Sequence, residues 1–185
     1  MRVTLILKLD KSMFNKIPSV SFKTITKTPS DGEAPKINWS ELSSGEMFGG
    51  KKSILFSLPG AFTPICSTYQ LPLFDSLYSD FKSLGIDEIY CVAVNDPFVM
   101  DAWREASGVK DVKLIPDGSA GFTRKMGMLV YKDNLGFGMR SWRYAAIIND
   151  QQIETWFEEP GFSDNCEDDP YGETTPQNLL DFLHS

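Results

Sequence analysis

The run from Leu58 through Pro59, Gly60, Thr63, Pro64 and Cys66 to Pro72 restricts the chain more than any other stretch. The apolar residues from Ser53 to Leu58 lead into it and read as a buried strand, which Pro59-Gly60 then breaks and turns. Thr63-Pro64 is a helix-start signal. Thr can cap a helix, and Pro suits the first helical position because its missing N–H would be unpaired there. Cys66 then falls at the third helical position, where unpaired backbone N–H groups and the positive end of the macrodipole favour an anion. Such a place favours thiolate over thiol.

The rest of the chain supplies layers around that stretch. Val20 to Thr26 alternates apolar and polar residues like a half-exposed strand, and Ser30-Asp31-Gly32-Glu33 is a turn signal. Residues 40–47 suit a helical turn ended by Gly49-Gly50. Ile54 to Ser57 is the first core strand. From Pro64 to Leu84 the residues Ile65, Tyr69, Leu73, Leu77, Phe81 and Leu84 recur at helical spacing, with Gly85 as terminator. Pro72 interrupts that helix and predicts a kink or break near Leu71.

Ile89 to Val94 is a continuous apolar run, as in a parallel strand buried on both faces. Phe98 to Ala106 reads as a second helix, Val112 to Ile115 as a third short strand and Gly121 to Met126 as a short helix. Tyr144–Ile148 and Ile153–Phe157 then pair as an antiparallel hairpin across 149–152. An acidic, turn-rich segment follows from Glu158 to Thr175, and Pro176 to Leu183 forms a terminal helix. Strands alternating with helices, then a hairpin and a last helix, fit an α/β fold of the thioredoxin-like type, a central mixed sheet flanked by helices.

The chain has 185 residues, enough for one domain with a full core. We read residues 13–185 as that single domain and 1–12 as an N-terminal extension, with Met13 as an alternative start. A net charge of -7 argues against nucleic acid and anionic membrane as partners, which call for a basic patch. No stretch approaches the roughly 18 apolar residues of a membrane span, and the first ten residues lack a signal-peptide cleavage pattern. Three cysteines, Cys66, Cys91 and Cys166, suit neither a disulfide framework nor zinc-type spacing, and the one histidine is His184. Reduced cysteines with no export signal point to the cytoplasm; neither metal nor cofactor is expected.

A free cysteine is more often buried filling than a reactive group, and an arginine starting a strand, such as Arg143, is usually a solvated charge. Local sequence shifts both readings. Pro59-x-x-x-Thr63-x-x-Cys66 resembles the active-site motif of the peroxiredoxins. The longer string Pro-Gly-Ala-Phe-Thr-Pro-x-Cys-Ser resembles the peroxiredoxin-5-like subfamily of the AhpC/TSA-redoxin type. Val94 to Met100, Asp117-Gly118 and Arg140 to Tyr144 resemble later blocks of that subfamily.

The resemblance implies a thiol-dependent peroxidase that reduces hydrogen peroxide and alkyl hydroperoxides. Cys66 would be its peroxidatic cysteine, Thr63 and Arg143 its partners, and Pro59 the shield of the pocket. It implies antioxidant defence, a homodimer, and resetting by glutathione/glutaredoxin or thioredoxin. A thiol of pKa about 8.5 is a few per cent thiolate at neutral pH, so full ionisation gains only about 30-fold. Fast turnover therefore needs donors on the peroxide oxygens, and Thr63, the Cys66 amide and Arg143 are the candidates. In a regular strand Arg140 and Arg143 point to opposite faces; Arg143 is assigned to the pocket and Arg140 to structure or an interface.

Cys91 reads as core packing. Cys166 is the candidate resolving cysteine, but Asp164, Glu167, Asp168 and Asp169 surround it and should slow its attack. The alternative is a one-cysteine cycle with an external thiol. Relatives usually carry His where this chain has Gln70, which can hydrogen-bond but cannot titrate near neutrality. A thioredoxin-like dithiol oxidoreductase would need a cysteine where Tyr69 stands. A redox-linked binding or chaperone-like protein with a vestigial site is the competing function.

Overall fold

Each core strand sends its odd and even residues to different layers, and this explains the whole architecture. In the computed structural model, which describes residues 15–185, the strands β3 (Lys52–Ser57), β4 (Glu88–Ala93) and β5 (Lys113–Pro116) run parallel. The strands β8 (Tyr144–Asn149) and β9 (Gln152–Glu158) complete one sheet in the order β5-β4-β3-β8-β9, with β8 antiparallel to both β3 and β9. Phe56 sits opposite Cys91 on one side and Ala145 on the other. Ile54, Phe56, Ile89, Cys91, Ala145 and Ile147 face one hydrophobic cluster. Leu55, Tyr90, Val92, Tyr144, Ala146 and Ile148 face a second. An apolar run with no alternation is therefore what a strand covered on both faces requires.

Helices cover the first face. After a π-helical turn at Cys66–Gln70 come α2 (Leu71–Ser76) and α3 (Tyr78–Ser83), with α4 (Pro97–Ser107) and α6 (Pro176–His184) beside them. They contribute Phe74, Phe81, Met100, Trp103, Leu179 and Leu180. The other face is covered by α1 (Ser44–Phe48), α5 (Gly121–Lys125) and the ribbon of β6 (Leu129–Tyr131) with β7 (Met139–Ser141). The helix starts follow from sequence: Asp96 accepts from the amides of Phe98 and Val99 before Pro97, and Ser43 and Glu46 form a capping box on α1. A hairpin of β1 (Ser21–Ser30) and β2 (Glu33–Ser43) precedes the sheet.

The α/β class, the central mixed sheet, the 144–157 hairpin and the last helix agree with the sequence reading. The helical run from Pro64 to Leu84 is broken at Leu71, as Pro72 predicts, but its apolar stripe is not the expected one. It is divided into the π turn, α2 and α3, and its buried stripe is Cys66, Gln70, Phe74 and Phe81, while Tyr69 is 55% and Leu73 43% exposed. The wide turn, in which the amide of Leu71 bonds Cys66 O, accommodates the absent N–H and the ring of Pro72 and shifts the phase of everything before it. The terminator holds: Gly85 has φ 85° and Ile86 N bonds Phe81 O. The N-terminal extension and the alternative start at Met13 lie outside the described residues.

Candidate active site

The site begins where β3 leaves the sheet. Ser57 Oγ donates to Val92 O at 2.7 Å, fixing the strand end, and Leu58, Pro59 and Gly60 are buried beyond it. The turn after them is braced from β4, because Asn95 Oδ1 accepts from the amide of Ala61 at 2.9 Å. Arg140 Nη1 donates to Val94 O at 2.9 Å, and a Cβ on Gly60 would lie 3.2 Å from that nitrogen. Glycine at 60 thus lets the turn close against the guanidinium. Arg140 has the structural task read from the sequence, at the turn that carries the site.

Pro64 opens the helix as expected, and Ser67 N bonds Thr63 O at 3.0 Å. The amide of Cys66 lies ahead of that first bond, in the turn where N–H groups are unspent. Thr63 differs from its expected capping role. Its hydroxyl donates to Gly60 O at 2.8 Å, so its proton tightens the turn and only its lone pairs face outward. Trp103 Nε1 donates to Ser67 Oγ at 2.9 Å and clamps the helix start to α4. The side chain of Cys66 is 0% exposed.

Arg143 meets the sulfur from the other side of the sheet order. Nη1 donates to Cys66 Sγ at 3.4 Å and also to Gln70 Oε1. The side chain is only 1% exposed, and its remaining donors go to one loop: Nε to Pro170 O at 3.0 Å and Nη2 to Asp169 Oδ1 at 2.5 Å. The ring of Tyr171 packs 5.6 Å from the guanidinium carbon. Burial opposes the charge, but the sulfur of Cys66 and the carboxylate of Asp169 outweigh it and hold Arg143 above the ordinary arginine range. The sheet does not run regularly here. β7 stops at Ser141 and β8 starts at Tyr144, so Trp142-Arg143 is a link that aims the guanidinium inward.

The loop that holds Arg143 is itself held by Glu159, buried to 2% exposure. Its carboxylate accepts from Gly172 N at 3.0 Å, Thr174 N at 2.8 Å and Thr174 Oγ1 at 2.8 Å. Glu159 O accepts from Trp142 Nε1 at 2.8 Å and Glu159 N donates to Arg143 O at 3.2 Å. Sequence reasoning missed Glu159, Asp169, Pro170 and Tyr171, since in the sequence they are members of an acidic, turn-rich segment. A carboxylate standing directly after a strand was the one available signal.

Cys91 lies in the first hydrophobic cluster with Cys66, and burial, reinforced by Cys66 and opposed by Arg143, pushes its thiol well up. That is the behaviour of a packed core thiol. Cys166 packs against the second cluster and is half-buried, apart from the cluster that holds Cys66. Its acidic neighbours are occupied: Asp164 accepts from Tyr131 N at 2.8 Å and Asp169 from Arg143, while Lys132 Nζ donates to Cys166 O at 3.3 Å. Two of the four acidic residues around Cys166 are thus held by other groups. Among the described residues no group of His, Cys, Asp and Glu has the arrangement of a metal site, and no helix is long and apolar enough to cross a membrane.

The redoxin family model matches residues 15–169. A peroxiredoxin of Rhizobium etli is 59% identical over 172 residues, covering 93% of this chain and 96% of that one. Among solved structures, the antioxidant protein of Plasmodium falciparum, a 1-Cys peroxiredoxin, superposes with a TM-score of 0.84 at 36% identity, over 91% of this chain and 97% of that one. Reduced Prx3 of Vibrio vulnificus in complex with hydrogen peroxide gives 0.78 at 32% identity, over 91% and 93%. With a thioredoxin-like sheet, a cysteine at a helix start beneath an arginine, and relatives of this likeness along nearly its whole length, the chain belongs to the redoxin family as a peroxiredoxin, a thiol-dependent peroxidase.

Proposed function

We propose that Cys66 is the peroxidatic cysteine of this enzyme and that Arg143, Thr63 and Pro59 form its pocket. The observation that carries the assignment is the 3.4 Å contact from Arg143 Nη1 to Cys66 Sγ in a site closed to bulk water. Sγ attacks one oxygen of hydrogen peroxide or an alkyl hydroperoxide, and the O–O bond breaks. The electron pair leaves on the other oxygen, which takes a proton and departs as water or an alcohol. Sulfur is oxidised by two electrons to sulfenic acid. The positive charge of Arg143 opposes the negative charge that builds on the oxygens, in a dry site where such a contact is strongest.

Thr63 takes part as an acceptor. Its proton is committed to Gly60 O, so a lone pair receives the O–H of the incoming peroxide and holds that oxygen, the one the sulfur attacks, in line with Sγ. Buried Pro59 keeps water from that face. Cys66 in one core cluster and Cys166 against the other support a one-cysteine cycle over a resolving role for Cys166. The sulfenic acid is then reset by an external thiol, glutathione with glutaredoxin or thioredoxin, through a mixed disulfide. Residues 13–185 act as a single domain, in a cytoplasmic homodimer. The test is hydroperoxide consumption with each reductant by the parent, Cys66→Ser and Cys166→Ser. We expect loss only in Cys66→Ser; unchanged turnover in that variant, or a Cys66–Cys166 disulfide in the oxidised parent, would sink the respective assignment.

A further inference from the structure

Two buried donors beside Arg143 have no protein partner among the described residues. Gln70 is 0% exposed; its Oε1 accepts from Arg143 Nη1, the nitrogen that also donates to Cys66 Sγ, while its Nε2 bonds nothing. Tyr171 lies with its ring against the same guanidinium at 5.6 Å, and its buried hydroxyl also bonds nothing. Burial, opposed by Arg143 and reinforced by Glu159 and Cys66, pushes the phenol up to about 12, so it keeps its proton at neutral pH.

Buried donors are rarely left unpaired, because the group has given up water for nothing. These donors flank one cation that already makes four hydrogen bonds, and the cation touches the one sulfur that acquires oxygen. We propose that Gln70 Nε2 and Tyr171 Oη are further catalytic donors that bind the oxygens of the hydroperoxide and then the oxygen left on Cys66. This rests on Cys66 being the peroxidatic cysteine. The ligand class is an oxygen carrying negative charge: the alkoxide or hydroxide leaving from the broken O–O bond, and the sulfenate S–O⁻. The step itself is unchanged. Both groups stay protonated and donate hydrogen bonds only, while the leaving oxygen takes the proton that the attacked oxygen gives up as it becomes the sulfenate.

Their separate chemistry permits a clean test. Tyr171→Phe removes only the hydroxyl and leaves the ring on Arg143. A hydroxyl that merely sits unpaired in the fold is lost at no cost or with a gain in stability. The reduced full chain is mixed with hydrogen peroxide in a single turnover without reductant, quenched by alkylation, and the oxidised fraction of Cys66 is read by mass. We expect Tyr171→Phe to melt at or above the parental temperature yet oxidise about tenfold more slowly, a modest loss for one donor of this type. The deficit should persist on the alkaline plateau of the rate, where ionisation no longer limits it. Gln70→Met should show a larger loss, and Gln70→His, which again offers an acceptor and a donor, should recover most of it. Parental plateau rates in Tyr171→Phe, or a Gln70→His rate as low as Gln70→Met, would overturn the proposal. Oxidation of the Cys66→Ser chain at the parental rate of peroxide consumption would instead overturn the reading beneath it.

Discussion

Arg143 and Asp169 are paired at 2.5 Å, so the side chain that touches the sulfur of Cys66 also anchors the acidic loop after β9. The guanidinium is planar, and fixing Nη2 on Asp169 and Nε on Pro170 O leaves Nη1 with one direction, toward Sγ and Gln70. The two ends of the pair are unequal. The arginine side chain is 2% exposed and the aspartate 36%, so the carboxylate is the end that solvent and mutation reach.

Replacing Asp169 should therefore act on rate through geometry. In Asp169→Ala the guanidinium loses its Nη2 partner and swings, and we expect the rate of Cys66 oxidation by peroxide to fall about tenfold, since small misplacements of a positioned group cost that much or more. Asp169→Asn keeps an acceptor oxygen at the same place and should retain most of the rate. Stopped-flow oxidation of both variants checks this. Equal losses in the two would mean that the charge of Asp169 matters and its directing contact does not.

Glu159 governs the same loop from its base. Its carboxylate accepts three donors, from Gly172 N and from Thr174 N and Oγ1, at 2.8–3.0 Å. An amide in its place removes the charge from these bonds and turns an N–H₂ toward Gly172 N, which can only donate. Glu159→Gln should lose about 2–3 kcal/mol of stability, the range for hydrogen bonds to a buried charged group. The urea midpoint should drop without a change in slope. Amide exchange at 171–175 should speed more than exchange in β3 and β4, because the damage is local.

Much of this was legible where one physical rule decides. The runs at 53–58 and 89–94 had no alternation because both faces are covered, and Asp96-Pro97 and Thr175-Pro176 announce helices by capping. The place of Cys66 at a helix start was readable from Thr63-Pro64, while the parts given to Thr63, Pro59 and Arg143 came from resemblance. Other parts left no periodic trace. β2 is exposed on most of its length, and β6 and β7 have three residues each, too few to show a period. The π turn moved Tyr69 and Leu73 outward because one extra backbone step precedes Pro72, a shift that hydrophobic spacing alone cannot reveal. The Asp169-Pro170-Tyr171 cradle depends on where a loop returns in space, which no local rule encodes.

The helix that carries Cys66 is held down by stacked aromatics. Phe74 lies 4.1 Å from Phe56 at an interplanar angle of 9° and 6.1 Å from Phe81, all buried to 0% exposure. Phe74→Ala should cost about 3–5 kcal/mol, as large-to-small changes at buried aromatics do. Phe74→Leu should cost less than half of that, since it leaves a smaller cavity. Chemical denaturation of the two measures the difference, and equal costs would show that the site collapses around either side chain.

The β1–β2 hairpin is joined to α4 by charge, and that joint should have a pH window. Lys27 Nζ lies 2.5 Å from Asp101 Oδ2, and nearby Trp39 of β2 meets Phe98 of α4 edge-on at 5.6 Å. Burial of Asp101 opposes its charge, but hydrogen bonds from Lys27 and Arg104 outweigh it and bring its pKa below the usual 3.8. A folded-state pKa depressed in this way contributes stability that is present above about 3.8 and is lost as pH falls through the folded value. Lys27 is raised above 10.5, chiefly by its hydrogen bond to Asp101, so its contribution is present below 10.5 and is lost as pH rises through the folded value. Between those limits the hairpin should stay docked. Below pH 3.8 its amides should exchange faster relative to those of the central sheet, and Trp39 emission should shift to the red. Asp101→Asn should show the acid behaviour already at pH 6 and respond little to further acidification. An acid response of the same size in Asp101→Asn would assign the joint to another pair.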